Sequence, residues 1–266
     1  MQETPLPPPS VLTEPLPHQE RIPPLRIQRG RYELYFARTT EEREAVMRLR
    51  YEVFCLELGE GLADAVHTGI DRDPFDDPCQ HLLVWDQKTG RHVGTYRMQT
   101  WAGASEGLGY YTDQEFDLGL LGLEFREHNV ELGRACVAKE HRGRSVLLLL
   151  WQGLMGYLEF HGKSGFFGCS SLTSQNMDEG LRLYAQLRRA GYVHPSLKTV
   201  PRPHCVCTKS GARGAKVAIP KLFGSYLRQG AKILSPPAID REFGTIDFLT
   251  HVQVDSGHRQ RFDPAP

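Results

Sequence analysis

The chain has 266 residues, a length that suits one large domain or two small ones. Its apolar fraction of 40% is that of an ordinary globular core, and its formal net charge of zero argues against a nucleic-acid partner held by overall charge. The six scattered cysteines are typical of a reduced cytosolic protein, and His204, Cys205 and Cys207 make only half a zinc site, so we expect no bound metal.

The N-terminal region is dense in proline and lacks the apolar core of a secretory signal. We expect residues 1–30 to form a disordered or loosely packed arm, residues 31–256 to form one domain, and residues 257–266 to form a disordered tail. The longest apolar run, Val146 to Trp151, is too short to span a bilayer. We therefore expect a cytoplasmic protein, at most peripheral on the inner face of the membrane.

Hydrophobic periodicity and turn residues predict the elements in chain order. In the first half they are a strand over 32–37, a helix from Thr40 to about Leu58, a hairpin with strands 81–85 and 93–100, and a short helix or turn over 113–121. In the second half they are a strand over 130–137, helices over 144–161, 177–190 and 219–229, and strands over 165–170 and 245–254. This order predicts one α/β domain with a mixed sheet.

Charge is unevenly distributed along the chain. The segment from Gly180 to Ile239, called the basic segment below, contains no Asp or Glu. Its cations are Arg182, Arg188, Arg189, Lys198, Arg202, Lys209, Arg213, Lys216, Lys221, Arg228 and Lys232. The pattern indicates a surface for an acidic partner protein or an anionic membrane, with a solvated basic face as the alternative.

Residues 129–151 carry the clearest functional signal. A short β-rich run bears Glu131 and Arg134, and a basic, glycine-bearing turn and a long apolar helix follow it. Such a strand–turn–helix unit presents free backbone N–H groups to an anion or a polarised carbonyl. Gly133 suggests a bulge, which would bring both charged side chains to one side and free N–H groups near Cys136 and Val137.

Several motifs resemble the GNAT superfamily of N-acyltransferases. The residues that carry the general resemblance are Arg142-Gly143 in the turn and Asn176, Leu183-Tyr184, Leu187 and Gly191-Tyr192 in the later helix. Longer segments are similar to the branch of ornithine–acyl carrier protein N-acyltransferases and N-acyl amino acid synthases, which is related to acyl-homoserine-lactone synthases. They are LRYEVFCLELG (49–59), DPFDDPCQHLLVWD (73–86), GTYRM (94–98), ELGRACV (131–137) and PPAIDREFGTIDFL (236–249).

The resemblance implies a GNAT-like mixed, splayed central sheet flanked by helices. It also implies transfer of a long, often 3-hydroxylated acyl chain from an acyl carrier protein thioester to the α-amine of an amino acid, ornithine by default and glycine or another as alternatives. No cofactor is expected beyond the phosphopantetheine of the carrier. The amine should attack directly, because the sequence holds no G-x-S-x-G elbow. A CoA-dependent N-acyltransferase and a non-enzymatic, membrane-associated haemolysin-like protein are the alternatives.

The turn departs from the pattern of family members that use acetyl-CoA. They usually carry R-x-x-G-x-G/A, whereas here Ser145 and Leu147 occupy the two later small positions. Small residues let the backbone wrap a CoA pyrophosphate, which a carrier protein does not bring. We therefore expect Arg142, Gly143, Arg144 and Ser145 to bind a carrier-borne donor, with the acidic carrier on the basic segment.

The resemblance and the residue chemistry together assign candidate catalytic roles. Glu131 is the candidate base, directly or through a water, with a structural Glu131–Arg134 pair as the alternative. Arg134 could instead hold the carboxylate of the acceptor. Tyr184 lies where the family often places the acid that protonates the leaving thiolate; a core tyrosine is the alternative.

Further candidates are less specific. Arg97 could bind the acceptor's carboxylate or lie on the surface. Asp76 and His81 could orient the amine or cap their loop, and Asp240 and Asp247, with Arg241, should form structural ion pairs. We expect three or four members of an apolar set to line an acyl slot. The set is Trp101, Phe116, Leu120, Leu121, Leu123, Phe125, Phe166 and Phe167.

Overall fold

A mixed sheet of nine strands organises the protein, and the computed structural model describes residues 14–62, 64–208 and 214–262 of it. The strands are β1 (Arg26–Arg29), β2 (Tyr32–Phe36), β3 (Gln80–Asp86), β4 (Arg91–Gln99), β5 (Asn129–Val137), β6 (Gly165–Leu172), β7 (Lys232–Ile233), β8 (Ala238–Asp240) and β9 (Thr245–Gln253). Their order is β1-β2-β3-β4-β5-β6-β9-β7, and β8 also pairs with β9. β5 and β6 are parallel, and the other pairs are antiparallel.

Helices cover the sheet and fill its connections. They are α1 (Thr40–Arg50), which continues as a π-helix (Tyr51–Leu58), α2 (Ala65–Thr68), α3 (Trp101–Ser105), α4 (Gly122–His128), α5 (Arg144–His161), α6 (Met177–Arg189), α7 (Lys221–Arg228) and α8 (Ser256–Phe262). Short 3-10 turns lie at Gln19–Arg21, Pro74–Asp76, Tyr111–Gln114, Leu118–Leu121, Lys139–His141 and Pro203–Cys205. Among the described residues, none of these helices combines the length and apolarity needed to cross a bilayer.

The N-cap of α1 is Thr39, one residue before the predicted Thr40. The Thr39 side chain accepts from the backbone N–H of Glu42, and the Glu42 carboxylate accepts from the backbone N–H of Thr39. This reciprocal capping box satisfies two N–H groups at the start of the helix.

Two apolar layers flank the sheet. α5 packs against β1–β5 through a core that includes Leu34, Leu82, Leu150 and Leu154. A second core joins α6 and α7 to β6 and β9 around Leu183, which is fully buried. Helices therefore cover the strands before the β5–β6 boundary and the strands after it.

The sheet splits between β5 and β6. Their parallel ladder contains three pairs, Asn129–Gly165, Val130–Phe166 and Glu131–Phe167. At the next residue a side chain on Gly168 would collide with the carbonyl oxygen of Leu132, so only glycine fits. Beyond this point the two strands separate, which confirms the predicted splayed, mixed sheet.

The structure differs from the predicted disorder at both ends of the domain. Within residues 14–30, β1 pairs with β2, and Leu16 and Ile22 are buried. At the other end α8 places Phe262 in a stack on Trp151, with ring centroids 5.0 Å apart. Residues 1–13 and 263–266 lie outside the described part of the chain.

Candidate active site

A cavity of about 810 Å³ lies where β5 and β6 separate. Its wall contains residues of both diverging strands, of β4, and of α5 and α7. The predicted site residues in this wall are Arg97, Glu131, Arg134, Cys136, Val137, Arg142 and Gly143. Asp76, His81, Ser145 and Tyr184 are not part of the wall, and the side chain of Arg144 lies outside what the structure describes.

Glu131 is a buried carboxylate at the last shared pair of β5 and β6. Its oxygens accept the backbone N–H groups of Tyr111, at 3.1 Å, and Thr112, at 2.7 Å. Burial raises the pKa of Glu131 above its usual value, and these hydrogen bonds oppose the rise. Glu131 forms no ion pair within the described residues, so the alternative of a structural Glu131–Arg134 pair is wrong.

The predicted bulge is present in β5. Thr95 pairs with Cys136 and Arg97 with Gly133, so Arg134 and Ala135 together lie opposite one residue of β4. Arg134 takes the left-handed backbone conformation, with φ 47°, which is uncommon outside glycine. Its guanidinium lies over the ring of Tyr111, 4.9 Å from the centroid, so the bulge brings Glu131 and Arg134 to the same tyrosine.

Three arginines and three aspartates form a buried ion-pair network, called the Arg–Asp cluster below. Its members are Arg50, Asp71, Asp73, Asp76, Arg97 and Arg134. Asp73 accepts from Arg97 at 2.6 Å and from Arg134 at 2.8 Å. Arg97 is 3% exposed, so it is no surface residue, and both candidate carboxylate binders already have carboxylate partners.

Asp76 belongs to this cluster, His81 bonds to the backbone of Asp76, and neither residue is part of the cavity wall. The Arg50 and Arg97 guanidinium groups hold the pKa of Asp76 well below its usual range despite its burial. The His81 ring bonds to the backbone carbonyl oxygen of Asp76 at 2.9 Å, and burial lowers the pKa of His81 to about 4. Both residues therefore fit the alternative of tying their loop together better than that of orienting an amine.

The opposite end of the cavity lies at the N-terminus of α5. Arg142 donates to the carbonyl oxygen of Val137 at 3.0 Å and pairs with Glu57 of the π-helix at 2.6 Å. The backbone N–H of Ala138 donates to the carbonyl oxygen of Val93 on β4. Successive N–H groups of an antiparallel strand point to alternate sides, so the N–H of Val137 points away from β4 and towards the gap. The same alternation directs the N–H of Cys136 to β4. Of the two N–H groups that the sequence predicted to be free, that of Val137 is the one that faces the gap.

Tyr184 does not reach the cavity. It lies on α6 and packs against the apolar core beneath that helix. The tyrosines in the wall are Tyr96, Tyr111 and Tyr226, and the hydroxyls of Tyr96 and Tyr226 are 2.6 Å apart. The sequence predicted the helix that carries Tyr226, but nothing in its pattern marked the partner on β4.

The predicted ion pairs of the C-terminal strands are absent from the described residues. Arg241 donates to the carbonyl oxygen of His204 instead. Asp240 accepts from the Tyr111 hydroxyl at 3.1 Å, and Asp247 accepts from the Thr245 hydroxyl at 3.0 Å. Both aspartates are part of the cavity wall, a role that their sequence context did not indicate.

The apolar lining is smaller than predicted. Of the eight candidates, Phe166 and Phe167 reach the cavity. Leu120 is 59% exposed and Leu123 is 48% exposed, while Phe116 and Phe125 are buried in the apolar core around α4 and are not part of the cavity wall. Residues from α5 and α7 line the cavity instead, because these helices cover the gap.

The basic segment reaches the cavity through α7. Lys221 and Arg228 are exposed and belong to the wall. Arg202 is bound to Asp113 at 2.6 Å, which reduces its availability to a partner. Lys209 and Arg213 lie outside the described residues.

Comparisons with known proteins agree with this architecture. A family model described as an acetyltransferase (GNAT) domain matches residues 49–152. The L-ornithine N(alpha)-acyltransferase of Agrobacterium fabrum is 31% identical over 241 residues, covering 85% of this chain and 82% of the relative. That of Brucella abortus is 32% identical over 247 residues and covers 85% of each chain. The crystal structure of the AHL synthase LasI shares the fold, with a TM-score of 0.50, 10% identity, and coverage of 87% of this chain and 94% of that one.

Proposed function

Because the chain belongs to the GNAT acyltransferases, in the branch of the L-ornithine N(alpha)-acyltransferases, we propose that it acylates the α-amine of ornithine with a long acyl chain from acyl carrier protein. The observation that carries the proposal is the cavity between β5 and β6. It has buried carboxylates at one end, the N-terminus of α5 at the other, and apolar side chains between them.

Glu131 is the proposed base. The acceptor arrives as an ammonium ion and must lose a proton before its nitrogen can attack the thioester carbonyl. A carboxylate whose pKa is raised by burial is a better proton acceptor than a solvated one. Glu131 takes one proton from the ammonium group, and the neutral amine then attacks. The nitrogen–carbon bond forms, the carbon–sulfur bond breaks, and the second proton leaves the nitrogen for solvent, so the products are the amide and the thiolate.

The charge that develops in this step needs hydrogen-bond donors. The N–H of Val137 faces the gap and is the proposed donor to the carbonyl oxygen. The leaving thiolate is a weak base, with a pKa of about 8.5, so a hydrogen bond can stabilise it without full proton transfer. Tyr96 and Tyr226 are part of the cavity wall, and their hydroxyls are the proposed donors of this hydrogen bond, whereas Tyr184 packs elsewhere.

Residues at the start of α5 and on α7 support the acyl carrier protein as the proposed donor. Leu147, at a position where members that use acetyl-CoA carry a small residue, lines the cavity with an apolar side chain. Lys221 and Arg228 add positive charge at the same cavity, which suits an acidic carrier protein. A CoA-dependent reaction remains the alternative donor chemistry.

Mass spectrometry of the intact carrier tests the proposal. The protein is incubated with ornithine and either 3-hydroxyacyl carrier protein or the matching acyl-CoA. We expect ornithine-dependent loss of the acyl group from the carrier and a new N-acylornithine. Turnover with acyl-CoA alone would contradict the carrier as donor, and no turnover of ornithine with either donor would contradict the acceptor.

A further inference from the structure

Three buried carboxylates lie near one another beside the cavity, and the charge of one of them, Asp240, acts on the other two. They are Glu115, Asp240 and Asp247, called the acidic subsite below, and their exposed fractions are 4%, 8% and 3%. Carboxylate oxygens of Glu115 and Asp247 and the Cys169 sulfur lie within 4.8 Å of one another. Asp240, Asp247 and Cys169 belong to the cavity wall.

The acidic subsite differs in charge balance from the neighbouring Arg–Asp cluster. In that cluster three aspartates face three arginines, so the buried charges cancel. In the part of the chain that the structure describes, no Lys, Arg or His forms an ion pair with Glu115, Asp240 or Asp247. Several carboxyl groups close together without a cation cost folding free energy unless protons or a bound cation neutralise them.

Among the described residues, Oδ1 of Asp247 and Oε2 of Glu115 accept no hydrogen bond while both carboxyl groups are ionised, but a proton shared between the two groups would join them. The other oxygen of Asp247 accepts from Thr245, and the other oxygen of Glu115 receives the Cys169 thiol at 3.7 Å. Burial and the neighbouring carboxylates raise the pKa of Glu115 well above its usual range. The buried negative charge is therefore neutralised either by a proton shared between Glu115 and Asp247 or by a cation from outside the chain.

From this arrangement we propose that Glu115, Asp240 and Asp247 bind the side-chain ammonium of a diamino acid acceptor and so select it over neutral amino acids. The inference rests on the proposed function and adds the residues that distinguish ornithine from its uncharged analogues. An ammonium group has three N–H donors and one positive charge, which match several carboxylate acceptors in one place.

Tyr111 links this subsite to the proposed base. Its backbone N–H donates to Glu131 at 3.1 Å, and its hydroxyl donates to Asp240 at 3.1 Å. Tyr111 therefore contacts both Glu131, through its backbone, and Asp240, through its hydroxyl. An amino acid with its α-amine at Glu131 can extend a second amine towards Asp240 and Asp247 along the same tyrosine.

A metal ion is the competing occupant of the subsite. Glu115, Cys169 and Asp247 could offer one ligand atom each. A metal needs the thiolate form of cysteine, but burial and the adjacent carboxylates raise the pKa of the Cys169 thiol well above its usual value. An ammonium ion needs no thiolate, so the chemistry of the three groups favours it.

Ornithine and norvaline share one carbon skeleton and differ by the side-chain amine, so their comparison isolates the subsite. With a fixed acyl carrier protein donor, we expect kcat/KM for ornithine to exceed that for norvaline about tenfold to hundredfold in the unaltered protein. Asp247→Asn and, separately, Glu115→Gln should bring this ratio close to one, because each should raise KM for ornithine far more than KM for norvaline.

Asp86→Asn is the matched control, because Asp86 is equally buried but lies at the far end of β3, paired with Arg31 at 3.1 Å. It should keep the ornithine-to-norvaline ratio. Equal use of the two acceptors by the unaltered protein would overturn the subsite while leaving amine acylation intact. An ornithine preference that chelators abolish and a divalent metal restores would assign the subsite to the metal.

If the protein acylates neither acceptor, the proposed function fails by itself. Calorimetric titration with ornithine and with norvaline then decides about the subsite. Tighter binding of ornithine that Asp247→Asn removes would support the subsite, whereas equal or undetectable binding of both would overturn it.

Discussion

The Glu131 carboxylate is buried, belongs to the cavity wall and has a raised pKa. We expect Glu131→Gln to lower kcat about 100-fold to 10,000-fold, because the amide keeps the size of the side chain but accepts no proton. Steady-state rates at several ornithine concentrations measure this loss, and KM should change little. The variant should also lose the rise in rate with pH that deprotonation of Glu131 gives the unaltered protein.

A structural role for Glu131 makes a different prediction. Two backbone N–H groups bond to its carboxylate, and the Gln amide would turn its own N–H towards one of them. The thermal midpoint of Glu131→Gln is therefore the necessary control. A variant that is folded at the assay temperature and fully active would remove Glu131 as the base.

Asp247 should make stability depend on pH. Burial raises its pKa from the usual value to about 6, so the folded chain binds this proton more tightly than the unfolded chain. The free energy of unfolding then falls as pH rises through the window between the unfolded pKa of about 3.9 and about 6. Asp247→Asn should be more stable than the unaltered protein by about 1–3 kcal/mol at pH 8, with a smaller gain at pH 5.

Urea unfolding at these two pH values checks the gain, with Asp86→Asn as the comparison. Burial acts to raise the pKa of Asp86, but hydrogen bonds from Thr89 and Lys88 and the Arg31 guanidinium outweigh it and lower that pKa. Its substitution should therefore destabilise the protein at pH 8. A loss of stability in Asp247→Asn at pH 8 would mean that its carboxylate already has a compensating partner.

Individual side chains were the least predictable level of the structure. The strand–turn–helix pattern predicted Glu131, Arg134 and Val137 as site residues, and their place in the cavity wall follows from that local pattern. Arg97 and Asp76 were identified, but their mutual ion pair joins residues that are distant in the chain. Their roles could not be read from spacing, because burial and charge balance arise only when the loop folds onto β4.

Gly168 is the residue at which β5 and β6 begin to separate. In Gly168→Ala the added methyl group would collide with the Leu132 carbonyl oxygen, which belongs to the backbone and cannot rotate away. We expect a loss of stability of about 1–3 kcal/mol and a larger fractional loss of activity, because the walls of the cavity would shift. Thermal unfolding and steady-state kinetics measure the two effects.

Gly107→Ala provides the control for the added methyl group. No atom lies within 4 Å of the position that its Cβ would take. This variant should keep both its thermal midpoint and its activity. Equal behaviour of the two variants would show that the close approach at Gly168 is relieved without cost.

Elements with strong local periodicity were predicted well. The long helix over residues 144–161 agrees with α5, and the strand over 130–137 agrees with β5 within one residue. The short strands β1, β7 and β8 were missed because their stability comes from pairing with neighbours and not from their own sequence. α7 was predicted as a helix, but its position over the gap depends on contacts with β6 and with Trp151 of α5.

Positive charge at the cavity wall should determine which acyl donor the protein accepts. We expect Lys221→Glu combined with Arg228→Glu to raise KM for acyl carrier protein about tenfold or more, because both cations are exposed at the cavity wall. The KM for an acyl-pantetheine should change little, since this donor lacks the acidic protein. Kinetics with both donors at low and high salt measure the difference.

Arg188→Glu combined with Arg189→Glu is the control for this change. These residues belong to the same basic segment but end α6 and lie outside the cavity wall. The control should leave KM for the carrier nearly unchanged. If both double variants weaken carrier use equally, general attraction and not a site at the cavity explains the donor.

The three shared pairs of β5 and β6 have a consequence for the dimensions of the reaction chamber. Each further pair would extend the common ladder by about 3.3 Å and shorten the passage by the same length. The depth at which a thioester meets the amine is thus fixed by main-chain register. A substitution in the cavity wall can change the width of this passage. Fitting a donor arm of a different length would require the strands to separate at a different residue.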